Sequence, residues 1–253
     1  MSPWATKGML SRVKTTHYPD RIDSSDGMTP GRPSDTALRN NVINFGCPTS
    51  AIEETASGVS VDFRRCVHCF HCARPADVAL PWTTDYEWAK KINTTNSPWK
   101  ENRLAFRHSI SVLVVDSGDC GACLSELKQL SKPYYNFHRL GYFVTPTPRH
   151  ADVLLVVGPV TDNMRLPLLR AYEGIPEPRK VVAIGACALM GGVFGPSFTS
   201  SAGVADLIPV NVEVAGCPPP PAAILHALNV ATGRDQHTSE FEAKPTGLDH
   251  VGQ

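Results

Sequence analysis

The hydrophobic pattern changes character near residue 110. Beyond it, ISVLVVD (110–116), ADVLLVVG (151–158) and KVVAIG (180–185) are short Val, Leu and Ile runs that do not alternate with polar residues. Each is followed by a turn and a helix-forming stretch such as LSELKQLSK or DNMRLPLLRAYEGI. A strand covered on both faces needs unbroken apolar runs, whereas a half-exposed strand alternates. With VNVEVAG leading into PPPPAAILHALNVATG, the pattern predicts an α/β domain over residues 110–233. Its parallel sheet would lie between two helical layers, with functional sites at the carboxyl ends of the strands.

The chain before residue 110 has no such rhythm. Residues 1–40 are polar, carry Pro19, Pro30 and Pro33, and read as an extended arm that orders when laid on a partner. Residues 41–80 form a compact cysteine-rich segment with one short strand, VSVDF. Residues 81–109 hold Trp82, Trp88 and Trp99 and read as a linker packed against something else, and residues 234–253 as a polar tail.

Charge narrows the class of partner. Lys plus Arg and Asp plus Glu both number 24, so no net field favours nucleic acid or an anionic membrane surface. The longest apolar run, ADVLLVVGPV, is about half of the ~20 residues a membrane-spanning helix needs. The N-terminus carries no signal-peptide core or twin-arginine pair, so the expected location is cytoplasmic, with any membrane association made through partner subunits.

The candidate chemistry lies in eight cysteines, which divide into two sets of four. Cys120, Cys123, Cys187 and Cys217 each fall just beyond a predicted strand, so a parallel sheet brings all four to one edge. Four thiolates from three turns suit a tetrahedral metal or a cubane cluster. Gly118, Gly121, Gly185 and Gly216 let the backbone approach and aim N–H groups at an anionic centre. The alternative is four small buried side chains with no ligand, since free cysteine is among the most buried residue types.

The motifs CGACLSE, PRHADVLLVVGPVT, AIGACA and AGCPPPPAAILHAL resemble the small subunit of nickel–iron hydrogenases and the homologous cluster-carrying 20 kDa subunit of respiratory complex I. The likeness covers about residues 110–233. It implies a flavodoxin-like core binding one [4Fe-4S] cluster through Cys120, Cys123, Cys187 and Cys217. The C-x-x-C followed by Glu126 is the hydrogenase form, where the complex I subunit typically has adjacent cysteines. This favours the energy-converting, membrane-associated hydrogenases and formate hydrogenlyases. The resemblance also makes Glu126 a candidate for a proton route, against an ordinary acid in the first turns of a helix, and sets Arg149, His150 and Asp152 near a subunit interface.

The other set is Cys66, Cys69 and Cys72, a C-x2-C-x2-C triplet, with Cys47 upstream in CPTSAI. A two-cluster bacterial ferredoxin adds a fourth cysteine that ligates the other cluster. That position is Ala76 here, and the positions of the companion triplet are Ala37, Asn40 and Ile43. The segment thus resembles a ferredoxin domain reduced to one [4Fe-4S] cluster on Cys47, Cys66, Cys69 and Cys72, with His68 and His71 beside the ligands. Zinc in a closed structural site is the competing reading.

Together the sets imply an electron-transfer subunit with two [4Fe-4S] clusters and no complete active site of its own. The implied partners are a hydrogenase-like or complex I 49 kDa-like large subunit and further iron–sulfur and membrane subunits. The alternatives are delivery of electrons to quinone in a complex I-like assembly, a zinc-bearing interaction module, and a free flavin carrier. The last is disfavoured by C-G-A-C where a phosphate-binding loop would be rich in Ser and Thr.

Overall fold

The computed structural model describes residues 15–22, 28–34, 46–55, 58–74, 80–92 and 109–234. Ala37, Asn40, Ile43, Ala76, Trp99 and the polar tail from 235 lie outside the described residues.

The three long apolar runs become β6 (Ile110–Asp116), β8 (Val153–Val157) and β9 (Lys180–Ile184), all parallel. With β5 (Ala89–Lys91), β7 (Tyr142–Val144) and β10 (Val212–Val214) they form a six-stranded sheet of order β5-β10-β9-β8-β6-β7. Numbered from β6, the parallel strands run 2-1-3-4-5, the flavodoxin-like order, whose switch point falls between β6 and β8.

Alternate side chains of these strands enter opposite layers. Ile110, Val112, Val153, Leu155, Val157, Val182 and Ile184 pack with helices α1 (Ala122–Gln129) and α4 (Pro221–Thr232). Leu113, Leu154, Val156, Val181 and Ala183 pack with α2 (Asp162–Gly174) and α3 (Gly185–Met190). Every residue of β8 is buried, which is why its sequence shows no alternation. Among the described residues no helix is long and apolar enough to cross a membrane.

Two expectations for the first 109 residues need correction. The stretch read as a linker supplies β5, an antiparallel edge strand whose Ala89–Lys91 pairs with Val214–Val212. It also supplies β4 (Trp82–Thr83), which pairs with β1 (Arg32–Pro33) of the supposed arm. The described parts of that arm pack on this same chain: Tyr18 is buried edge-on against Tyr86, and Met28 joins the core under α1 and α4. The apolar faces of Tyr18, Met28 and Trp88 are what override the polar average of the segment.

Residues 46–74 build the smallest unit. A hairpin of β2 (Ile52–Thr55) and β3 (Gly58–Val61) is followed by the triplet and a single 3-10 turn at His71–Ala73. Its core consists of Val59, Val61, Cys72 and Leu80, with Ile52, Phe63 and Trp82 packed against it.

Candidate metal centres

The turn after β6 is built by its polar residues. Asp116 Oδ1 accepts the N–H groups of Gly118 and Asp119 at 2.9 and 2.7 Å, closing a tight turn. The Ser117 hydroxyl, fully buried, donates to the carbonyls of Val157 and Gly158 and pins this turn to the end of β8. Asp119 Oδ2 then accepts from Gly121 and Leu124, occupying N–H groups that the start of α1 leaves unpaired. Gly158 has φ +92°, and a Cβ there would stand 2.5 Å from the Asp119 nitrogen, so the two loops cross only because this residue is glycine.

This scaffold carries Cys120, exposed, and Cys123, buried, to the carboxyl edge of the sheet. Cys187 arrives on α3 directly after β9, and Cys217 follows β10, with the Ala186 N–H donating to the Gly216 carbonyl at 2.8 Å to tie those two turns together. A Cβ on Gly185 would lie 2.6 Å from Cys123 Sγ, and one on Gly192 2.5 Å from Cys187 Sγ. Glycine backbone therefore lies against these two sulfurs, and the thiols of the set sense one another electrostatically. Burial pushes the Cys123 thiol up strongly, with Asp119 and the thiols of Cys217, Cys187 and Cys120 adding to it. Burial, then Cys217, Cys120 and Asp119, pushes Cys187 up to about 11, and burial with Cys120 and Asp119 raises Cys217.

The other four cysteines gather below the β2–β3 hairpin, where Cys47, Cys66, Cys69 and Cys72 line one cavity together with Ile52, Val61 and Trp82. Burial pushes Cys66 up to about 11, with the other three thiols adding to it. At Cys47, burial is outweighed by donors from Thr49, Ala51 and Ile52, which leave that thiol below its ordinary value; the Ala51 N–H reaches the sulfur at 3.3 Å. Burial raises Cys72, against the indole N–H of Trp82. Among the described residues that buried N–H has no hydrogen-bond partner, although the indole lines the same cavity as the four cysteines.

The chain thus brings together the same two fours that the spacing separates. Cysteines that raise one another's thiols, Cys72 and Cys123 among them buried and Cys47 receiving the Ala51 N–H, fit thiolates held on a positively charged iron–sulfur core. Among the described residues no three His, Cys, Asp or Glu side chains stand close enough to hold one metal ion.

His68 joins the two sets. Its Nδ1 accepts the backbone N–H of Cys217 at 3.2 Å, and its ring stacks on Trp88 with centroids 5.2 Å apart. Burial, with the Arg32 guanidinium adding to it, holds the imidazole down to about 4. His71 stays by Gly46. Beside His68 runs a groove of about 420 Å3 lined by Phe70, Glu126, Tyr135, Cys217 and several prolines. Burial raises the Glu126 carboxyl there. Arg149 and His150 lie elsewhere: their 3-10 turn precedes β8, at the edge of the sheet opposite the cysteines, and Asp152 accepts the Ser111 N–H at 2.7 Å as a structural contact. Sequence reasoning misses Asp119 and Trp82, whose roles depend on where their side chains point.

Residues 120–231 match the family model for the NADH ubiquinone oxidoreductase, 20 Kd subunit. That span holds Cys120, Cys123, Cys187 and Cys217 and leaves the other four outside it. The chain is 40% identical over 127 residues to formate hydrogenlyase subunit 7 of Escherichia coli (strain K12), covering half of each protein. It is 44% identical over 120 residues to the probable membrane-bound hydrogenase subunit mbhJ of Pyrococcus furiosus, covering 47% of this chain and 72% of that one. With an NADH-quinone oxidoreductase subunit of Carboxydothermus hydrogenoformans it shares 43% identity over 105 residues, 41% of this chain and 63% of the relative. On the strength of this match and of a fold that carries its cysteines at three strand ends, the chain belongs to the NADH ubiquinone oxidoreductase 20 Kd subunit family.

Proposed function

We propose that the chain is an electron-transfer subunit of a multisubunit, membrane-associated oxidoreductase of the hydrogenase type. It holds one [4Fe-4S] cluster on Cys47, Cys66, Cys69 and Cys72 and a second on Cys120, Cys123, Cys187 and Cys217. The observation that carries this reading is the convergence of the second four, from three separate strand-end turns, with glycine backbone against the sulfurs of Cys123 and Cys187. The ligand pattern supports a cluster over zinc in the first set, where a C-x2-C-x2-C triplet with a remote Cys-Pro follows the ferredoxin arrangement rather than two C-x2-C units.

Bound clusters would accept and release single electrons. The chain's own residues set where and at what potential: the Ala51 N–H donates to the Cys47 sulfur, Trp82 lines the cavity of the first set, and the Asp119 carboxyl lies in the turn that carries Cys120 and Cys123. Bond making falls to a partner, a large subunit with a nickel–iron centre in this reading, and the chain sits peripherally on the membrane through its partners. Names among its relatives, formate hydrogenlyase and membrane-bound hydrogenase, support that assignment.

Iron and acid-labile sulfide analysis of the anaerobically purified complex, with electron paramagnetic resonance during reductive titration, tests it. About eight irons and eight sulfides in this chain are expected, with two interacting cubane signals. Stoichiometric zinc without sulfide would overturn the reading.

A further inference from the structure

The two cysteine sets come from different parts of the chain, yet one side chain links them. His68 lies between Cys66 and Cys69, inside the first loop, and its ring reaches across to the backbone of Cys217, a member of the second set. The reach is built rather than incidental. His68 has φ +51°, a left-handed backbone that histidine adopts more readily than most non-glycine residues and that sets the direction of its side chain. Trp88 stacks on the ring with an interplanar angle of 23° and fixes its direction, and the Trp88 indole N–H is itself held by Asp85. An accepting Nδ1 must be the unprotonated nitrogen, so the bond selects one tautomer.

We infer that His68 is the positioning residue between the two cysteine sets, whose Nδ1 bond to the Cys217 N–H registers one set against the other and supplies a bonded path for electrons between them. The inference rests on the reading that both sets hold clusters. The path runs covalently from the sulfur of Cys66 or Cys69 to the imidazole, crosses the hydrogen bond, and continues along the backbone to the sulfur of Cys217. In each transfer one centre loses one electron and the other gains it, while the His68 ring is unchanged and no proton need move. A bonded path couples donor and acceptor more strongly than an equal distance across a gap. The hydrogen bond is accordingly the element whose loss slows exchange.

Two substitutions separate the bond from the ring. His68→Phe keeps a ring for Trp88 and removes the acceptor. His68→Asn loses the ring but puts Oδ1 where Nδ1 was, in a residue type that tolerates left-handed φ. Each variant would be purified anaerobically in its complex, its iron and sulfide counted, and electron exchange between the sets followed by freeze-quench electron paramagnetic resonance after rapid photoreduction. With full iron retained, His68→Phe is expected to slow exchange several-fold and weaken the magnetic interaction between the sets, and His68→Asn to keep both near the natural values. Natural exchange in an iron-replete Phe variant, or equal slowing in both variants, would overturn the bridge while leaving the two clusters standing. If the Phe variant loses iron, the Asn variant decides: an iron-replete Asn protein that exchanges slowly overturns the inference. A natural protein without sulfide would overturn the function itself and the bridge with it.

Discussion

A hydrogen bond to a cluster sulfur favours the reduced, more negative state, so its donor raises the reduction potential. Trp82 is placed to be such a donor, since its buried indole N–H lines the cavity of the first set and has no hydrogen-bond partner among the described residues. Trp82→Phe keeps the stack with Phe70 and removes only the N–H. If the bond differs by about 1 kcal/mol between charge states, the potential of the first set falls by about 40 mV in a one-electron titration, with the second set unmoved. Glu126 is the matching question for protons. Burial raises its carboxyl above its ordinary value. If it carries protons along the groove beside Cys217, Glu126→Gln lowers turnover of the assembled complex on the order of 10²-fold with iron content unchanged. Full turnover in that variant removes the route.

One element-scale contact binds the first cysteine loop to the sheet. Arg64, two residues before Cys66, pairs with Glu213 of β10 at 3.2 Å. Burial raises the Glu213 carboxyl, with Arg64 and Lys90 pulling the other way. A carboxyl raised by folding contributes stability below its ordinary value and loses that contribution as pH climbs through the raised one. Arg64 limits the loss. Arg64→Met is therefore expected to cost about 1 kcal/mol at neutral pH, less than a fully buried pair because the guanidinium is part exposed. The variant should converge with the natural protein as pH falls well below the ordinary glutamate value, where Glu213 is protonated in both. Denaturant titrations across that range read the difference, and a constant offset would assign the effect to packing. Elements also show what the sequence makes legible. β8 is buried on both faces and announces itself as VLLVV, whereas β5 is AKK, an edge strand held by backbone pairing with two exposed lysines and no apolar signature. The cysteine groups are readable because the second four follow strand ends and three of the first four stand at C-x2-C-x2-C spacing. Asp119 and Trp82 are not, since nothing local says which way they face.

For the molecule as a whole, the two cysteine-bearing parts stand on unequal cores. The α/β part packs two layers on its sheet, while residues 46–74 rest on Val59, Val61, Cys72 and Leu80. So small a core rarely supports a fold alone, and metal binding commonly supplies the missing folding energy. Stripping iron with an anaerobic chelator is expected to open residues 46–74 to limited proteolysis first, while the sheet from β6 to α4 resists. Cleavage sites read by mass spectrometry distinguish the cases. Cuts confined to 46–74 would mean that the first cluster is the staple of its own segment. Protection of that segment without iron would mean that stacking of His68 and Phe70 on Trp88 and Trp82, with the Arg64–Glu213 pair, suffices to hold it. Simultaneous cutting in both parts would make the molecule one cooperative unit. In that case the contacts from His68 to Cys217 and from Arg64 to Glu213 transmit the loss of one cysteine set directly to the turn that carries the other.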